Sequence, residues 1–462
     1  MASWGRRLAT LPDGWRMDSR SLPEPIRRTS YGAGSPVVGE RGARTRAHIV
    51  QVALGLMGTK GAHQTTMDDI AGAVGVSRAT LYQYFESKEQ IFSELVEESG
   101  AALLRVVRRA GPLGPDSVGF ARLRAWMVDW AAIYARYSEV FAQWSAVENL
   151  QGSRQSMLAT WMTNYVGRVT PLLAAAGPSE VDPSQLAVAV WALFERYSSL
   201  MSAHPDGEMA VADMAAVAQL MLFPGTPVSV LSESVRSRPP PSVRNSPTEA
   251  GLRIEPRYAA RFEGVGPEAR RTAERILDAG GRLFTLAGFH AVSVEQVATA
   301  AEVGRGTFYK YFDSKVDLLG ALGLECSRRM IALGEALSER LVGERPRRPL
   351  SAWLEEFVAF HAVFGGVWRV WTDEPSLSAS SVEIGEVARD ALQRGLTRLA
   401  RATPHPYRLA DESVAAMLGG LLQRFPDQAR GTPYECPPQE LVRVLQLLIE
   451  RALLPVYPSD PS

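Results

Sequence analysis

Thr66–Lys88 reads TMDDIAGAVGVSRATLYQYFESK, and 227 residues further on Ser293–Lys315 reads SVEQVATAAEVGRGTFYKYFDSK. The two stretches align without a gap. Ala71, Ala73, Val76, Arg78, Thr80, Tyr82, Tyr84, Phe85, Ser87 and Lys88 recur as Ala298, Ala300, Val303, Arg305, Thr307, Tyr309, Tyr311, Phe312, Ser314 and Lys315. Most other pairs are conservative, such as Ile70 with Val297, Leu81 with Phe308 and Glu86 with Asp313. Two copies this similar and this far apart define a duplicated domain.

Each copy reads as helix, tight turn, helix. Thr66 with Asp69, and Ser293 with Gln296, set a hydroxyl three residues before an acid or amide, which is the pattern of a capping box. Ile70, Ala71 and Val74 give a short apolar face at helical spacing. Gly75-Val76 suits the turn, and Ser77 suits the start of the next helix. In that helix Leu81 and Phe85 lie four apart and should point into a core. Arg78 with Tyr82, and Thr80 with Tyr84, are the four-apart pairs away from that stripe. Ser87-Lys88-Glu89-Gln90 is a further capping box that opens a third helix.

The run IAxxxGVSRATLYxYFxSKExI, from Ile70 to Ile91, resembles the helix-turn-helix of the TetR family of bacterial transcription regulators, and the second copy is similar. The resemblance covers almost the whole chain as two tandem units. It implies an all-α fold in which each unit has an N-terminal three-helix helix-turn-helix DNA-binding domain followed by a helical ligand-binding and dimerisation domain. It implies that Ser77–Gln83 and Gly304–Lys310 enter the major groove. Ser77, Arg78, Ala79, Thr80 and Gln83, with Gly304, Arg305, Gly306, Thr307 and Lys310, would then meet base edges. Tyr82, Tyr84 and Lys88, with Tyr309, Tyr311 and Lys315, would hold phosphates, since phosphate contacts position a protein and base contacts specify sequence. Thr66 and Ser293, which open the units, join the candidate DNA contacts. One departure is Glu302 where the first copy has Gly75. A carboxylate beside the turn would weaken or retune the second reader.

Composition narrows the remaining classes. Lysine plus arginine equals aspartate plus glutamate at 50 each, so global charge gives no sign of nucleic acid and the local distribution decides. Only Cys326 and Cys436 are present, with no CxxC and only six scattered histidines, which points away from a disulfide framework or a zinc site and towards a reducing cytoplasm. No signal-peptide core opens the chain and no apolar run is long enough to span a bilayer, so no membrane partner is expected. No phosphate-cradling loop or nucleophile constellation suggests an enzyme, and no cofactor is expected beyond an unidentified small-molecule effector.

Residues 1–40 read as a disordered Arg-rich tail, rich in Pro, Gly and Ser. It serves either as a basic arm on DNA or, the reading favoured here, as a solvated extension. Arg44–Met57 is an amphipathic helix ended by Gly61, repeated at Arg271–Phe284 with Gly288. Arg44 and Arg271 stand at the starts of these helices, suited to phosphate contact. The first helix-turn-helix domain spans 41–100 and a helical regulatory domain 101–225. A second pair spans 267–327 and 328–456.

In Phe120–Trp144 the residues Trp126, Trp130, Tyr134, Tyr137, Phe141 and Trp144 fall on one face of a single expected helix. Trp353, Phe357, His361, Phe364, Trp368 and Trp371 repeat them. Such a stripe is ordinarily core. The resemblance also implies a ligand pocket among the central helices, for which Trp126, Trp130, Tyr134, Tyr137, Trp353, Phe357, His361 and Phe364 are the candidate lining. Further helices are expected at 153–176, 183–203 and 207–223. Glu195-Arg196-Tyr197 resembles Gln423-Arg424-Phe425; these arginines suit either an anionic ligand or, the reading favoured here, an ion pair with a neighbouring acid. The resemblance further implies that 183–203 with 207–223, and 411–425 with 439–454, form a four-helix interface.

Residues 226–266 form a Pro/Ser/Arg linker containing SRPPPSVRNSP. A flexible chain of about 40 residues has an end-to-end distance of roughly 35 Å, comparable with the ~34 Å between half-sites one DNA turn apart. One chain could therefore bring both heads to one double-stranded operator as an intramolecular pseudo-dimer; a homodimer with four heads is the rival arrangement. The reading is a cytoplasmic, ligand-responsive DNA-binding regulator, a repressor by preference. The alternative is a helical ligand-binding or DNA-architectural protein without sequence-specific regulation.

Overall fold

The computed structural model describes residues 40–61, 64–142, 153–176, 180–203, 208–232, 266–341, 347–373, 379–403, 407, 409–428, 430 and 432–453. The Arg-rich tail and most of the linker lie outside the described residues. Among the described residues all regular structure is helical. In the first half α1 is Glu40–Lys60, α2 Met67–Val74, α3 Arg78–Tyr84, α4 Lys88–Ala110, α5 Ser117–Arg136, α6 Ser138–Ala142 and α7 Ser153–Val169, which runs into a 3-10 turn at Thr170–Ala176. Then come α8 Pro183–Ala203, α9 Glu208–Leu222 and α10 Val228–Ser232. The second half repeats the order as α11 Pro267–Ala287, α12 Val294–Ala300, α13 Arg305–Tyr311, α14 Lys315–Leu341, α15 Arg347–Asp373, α16 Ala379–Ala402, α17 Asp411–Gln428 and α18 Pro438–Leu453.

The capping pattern read from sequence forms as expected. Thr66 and Ser293 each close a reciprocal capping box, with Asp69 and Gln296. Gly75 takes a left-handed φ of 79°, and Val76 N donates back to Ala71 O at 3.0 Å. In the second head the same back-bond, Val303 N to Ala298 O at 2.9 Å, is made with Glu302 at φ 55°. That conformation is natural for glycine and costly for a residue with a Cβ.

The two heads relate differently to the rest of the molecule. Head 1 has its own core, in which Ile49, Ala53, Leu81, Phe85, Ile91 and Leu95 pack together. The core of head 2, around Ile276, Phe284, Val297, Phe308 and Phe312, is continuous with that of the helical body. The body is built where α8 and α9 of the first half pack on α17 and α18 of the second. Glu195 pairs with Arg424 at 3.1 Å, Gln185 Nε2 donates to Tyr434 O at 2.9 Å, and Arg451 donates to Met221 O at 3.3 Å across this contact.

The aromatic stripe of the first half does not lie on one helix: α5 ends at Arg136, Tyr137 leaves the helical conformation, and α6 begins at Ser138. Its counterpart α15 runs unbroken from Arg347 to Asp373. The two halves differ at Gly365-Gly366. Gly366 sits directly on the backbone of Phe284, where an added Cβ would clash, while the first half carries Ser138-Glu139 at the matching positions. The linker also starts later than expected, because Thr226 and Leu231 are fully buried against the first half and Tyr407 Oη donates to Thr226 O at 2.9 Å. The boundaries drawn at 100 and 327 fall inside α4 and α14, each of which runs from a head into the body.

Candidate nucleic-acid interface

Each second helix of the turn motif is seven residues long and anchored by one inward side chain, Leu81 in α3 and Phe308 in α13. With Phe85 and Phe312 just past their ends, these fully buried residues fix the rotation of each helix. Its outer face is thereby set. Ser77, Arg78, Ala79, Tyr82 and Gln83 are exposed in head 1, as are Gly304, Arg305, Gly306, Tyr309 and Lys310 in head 2; Thr80 and Thr307 are half-buried. Tyr82 and Tyr309 keep 43% and 44% of their surface, large values for aromatic side chains.

The heads differ at the helix start. Ser77 Oγ accepts from Thr80 N at 3.1 Å and lies 2.8 Å from Thr80 Oγ1. Gly304 offers no side-chain cap. Arg78 and Arg305 are held alike: Asp68 lies 3.0 Å from Arg78 and Glu295 3.1 Å from Arg305, and each guanidinium sits over the ring one turn on, Tyr82 or Tyr309. Sequence reading passed over these two acids. Their position two residues into the preceding helix looks like ordinary N-terminal charge, and only the turn geometry brings them to the arginines.

Several expected contacts have other work in the fold. The ammonium of Lys88 donates to Thr65 O at 3.0 Å. That of Lys315 donates to Phe289 O and Val292 O, both at 2.8 Å, and to His290 O at 3.2 Å, over the Phe289 ring. Burial pushes the Lys315 pKa down. Both lysines tie the loop before the turn motif to the helix after it. The hydroxyls of Thr66 and Ser293 are committed to their capping boxes. Tyr84 and Tyr311 are half-buried against the cores, and Arg44 and Arg271 are exposed. Asp69 is held far below the usual carboxylate range by hydrogen bonds from Lys60, at 2.7 Å, and from Thr66.

A residue the sequence did not flag, Arg46, is buried in head 1. It pairs with Glu94, donates to Tyr84 O at 2.6 Å and stacks 4.0 Å from the centre of the Phe85 ring. It thus clamps α1 to the end of the reading helix and to α4.

The candidate pocket residues separate into three environments. Trp126 and Trp130 pack edge-on against Phe194, and Trp130 also against Tyr165, inside the body. The Trp126 indole N–H is buried and has no hydrogen-bond partner among the described residues. Tyr134 stacks on Phe141, and Tyr137 donates to Glu98 at 2.6 Å in the core of head 1, so these two belong to the joint between head and body. Tyr137 stands at the break after α5. In the second half Trp353 stacks on Phe357 and its Nε1 donates to Leu333 O at 2.9 Å, while Phe364 packs on Phe360. His361 is buried 3.6 Å from Asp427, which Arg369 meets at 2.8 Å and Arg430 at 2.7 Å. Burial pushes the His361 pKa down, against the pull of Asp427. Burial alone would raise the Asp427 pKa, but Arg369, His361 and Arg430 overcome it and hold it well below the usual range. Arg369 continues to Phe284 O, at 3.2 Å, and to Thr285 O at the end of α11.

A three-helix unit whose short reading helix turns a polar face outward is a helix-turn-helix domain, and two are present among the described residues. The profile described as bacterial regulatory proteins, tetR family, matches residues 49–95 and 276–322. The chain thus carries two TetR-family helix-turn-helix domains in tandem. It is 48% identical over 66 residues to the HTH-type transcriptional repressor KstR of Mycobacterium tuberculosis, covering 14% of this chain and 30% of that protein. It is 44% identical over 55 residues to the HTH-type transcriptional regulator AcrR of Shigella flexneri, covering 12% and 26%. With the HTH-type transcriptional regulator TcmR of Streptomyces glaucescens the identity is 31% over 127 residues, covering 28% and 47%. The likeness thus spans less than half the length of each of these relatives. Among the described residues no helix is long and apolar enough to cross a membrane, and no group of three or more metal-ligating side chains is placed to hold an ion.

Proposed function

We propose that this chain is a sequence-specific DNA-binding transcriptional regulator, a repressor released by a small-molecule ligand, in which two halves of one chain stand in for two subunits. The observation that carries this reading is the pairing of α8 and α9 with α17 and α18 within a single chain that also holds two outward reading helices. The roles of the relatives, a repressor and two regulators, support it. The heads differ at Ser77/Gly304, Ala79/Gly306 and Gln83/Lys310, so the operator is asymmetric. The ligand sits among the aromatic side chains of the body, where the unpartnered Trp126 N–H offers a donor to a polar group. It need only favour a head arrangement that the operator disfavours. Such a regulator works in the cytoplasm.

Light scattering of the protein alone and on a selected DNA site tests the arrangement. One chain per site is expected; two chains per site would replace the pseudo-dimer with a four-headed homodimer. Gln83→Lys, which copies the second head at that position, should then alter base preference at one half-site and leave the other unchanged. Substituting Arg78 or Arg305 should relax specificity; a uniform loss of affinity across all sequences would instead favour an architectural role.

A further inference from the structure

Where α8 meets α17, the duplication supplies its own control. Glu195-Arg196-Tyr197 corresponds to Gln423-Arg424-Phe425. When equivalent surfaces pair about a two-fold or pseudo-two-fold axis, each contact recurs with its partners exchanged. One such contact is the ion pair of Glu195 with Arg424, at 3.1 Å. Its reciprocal would join Arg196 to residue 423, and there the chain carries Gln423, an amide with no charge to offer.

Arg196 is consequently left in an unbalanced position. Its stem crosses Gly420, where an added Cβ would collide with Arg196 Cβ and Cγ, and its Nε donates to Ala416 O at 3.3 Å. Ala416, Gly420 and Arg424 are spaced four apart and form one stripe of α17, so Arg196 lies along the line that leads to a second arginine. A third, Arg389 of α16, faces the same junction. Burial first, and then the charges of Arg424 and Arg389, push the Arg196 pKa down to about 10. Arg424 has Glu195, and Arg389 has Glu386 and Asp390 beside it on its own helix. Among the described residues no carboxylate lies within ion-pair reach of Arg196. A half-buried cation with a lone carbonyl for company gains when an anion joins it.

We infer that Arg196, backed by Arg389 and Arg424, is an anion site at the junction of α8, α16 and α17 that takes the carboxylate or phosphate group of a small molecule where the reciprocal acid is missing. The planar fork of a guanidinium suits both groups. An occupant would bridge the two halves, because Arg196 belongs to the first and the surrounding helices to the second. The site does not depend on whether the heads read DNA.

Thermal unfolding of the full-length protein tests it, in chloride and in inorganic phosphate or acetate at equal ionic strength. The wild type should melt higher in phosphate or in acetate, by about 2 °C at saturation. Gln423→Glu supplies the missing acid, so this variant should melt above the wild type in chloride and gain nothing from either anion. Arg196→Met should also lose the anion response, which keeps the test decisive if Gln423→Glu fails to fold. A wild type indifferent to both anions would overturn the inference. So would an equal rise in all three proteins, since phosphate also strengthens burial generally by exclusion from protein surface. DNA affinity is not the readout, so failure here and failure of the DNA-reading proposal are separately visible.

Discussion

Where the first head carries Arg46 and Glu94, the second carries Ala273 and Ala321. Head 1 closes its core with a buried ion pair that clamps three helices. Head 2 closes its core with small residues and continues that core into the body: Gly366 lies on the Phe284 backbone, Thr285 Oγ1 donates to Val363 O at 3.0 Å and accepts from Gly366 N at 2.9 Å, and Arg369 reaches the end of α11. One sequence motif has therefore been given two kinds of mounting. Head 1 is a self-contained unit joined to the body through α4, Tyr137 and α6, whereas head 2 is part of the body. A change in the body should reach head 2 directly and head 1 mainly through α4.

The largest expected effect comes from the clamp. Glu94→Ala leaves Arg46 enclosed without its counter-charge and should cost head 1 about 3 kcal/mol. The double variant Arg46→Ala/Glu94→Ala copies the second head, and replacing both partners should cost clearly less than the single change. Urea unfolding of both variants measures the difference. If the double variant is the less stable of the two, the ion pair is not what distinguishes the mountings.

The second effect is a pH dependence that belongs to the second half alone. His361 faces Asp427, Arg369, Arg430 and the backbone of Gln423, and the matching residue of the first half is Tyr134. Its folded pKa lies below the ordinary value because burial disfavours the charged ring. The unfolded chain therefore takes up a proton first as pH falls. The stability this residue contributes is complete above about pH 6.5 and declines below it, by up to ~1.4 kcal/mol per pH unit. Asp427, whose pKa is lowered, stays ionised through that window; its own contribution is lost only as the solution becomes acidic enough to protonate carboxylates. Urea midpoints between pH 7.5 and 5.5 should fall for the wild type and fall less for His361→Asn. Parallel slopes would remove the histidine from the comparison.

What the sequence revealed, and what it withheld, follows the range of the interactions. The turn motif was readable because it rests on contacts three and four residues apart: Thr66 with Asp69, Ser77 with Thr80, Leu81 with Phe85. The outward set at Arg78, Tyr82 and Gln83 followed from the same periodicity. The roles of Lys88 and Lys315 were not readable, since their carbonyl partners lie more than twenty residues away on the preceding loop. The aromatic stripe misled for a related reason. Spacing is indifferent to whether a neighbouring backbone comes close: Gly366 lies on α11 in the second half, and Ser138-Glu139 stand at the matching positions of the first. The Asp427 cluster was invisible because its members come from two helices about sixty residues apart and the turn after the second, and have no charged counterpart in the first half that periodicity could have matched.

The smallest effect isolates the turn itself. Glu302 holds a φ of 55° where Gly75 holds 79°, and both heads make the same back-bond. The geometry is shared, so only the Cβ and its cost differ. Removing that Cβ with Glu302→Gly relieves roughly 1–2 kcal/mol of left-handed strain, offset by the greater freedom of glycine in the unfolded chain, roughly 0.4–1 kcal/mol. A net gain near ~1 kcal/mol is expected. Because the core of head 2 is continuous with the body, this gain should appear in the main unfolding transition. The converse change, Gly75→Glu, should cost a similar amount but in a head with its own core. It should therefore appear first as faster amide hydrogen exchange in α2 and α3, with the main transition nearly unmoved. If both variants shift the main transition equally, the heads unfold with the body alike, and the difference in mounting has no thermodynamic consequence.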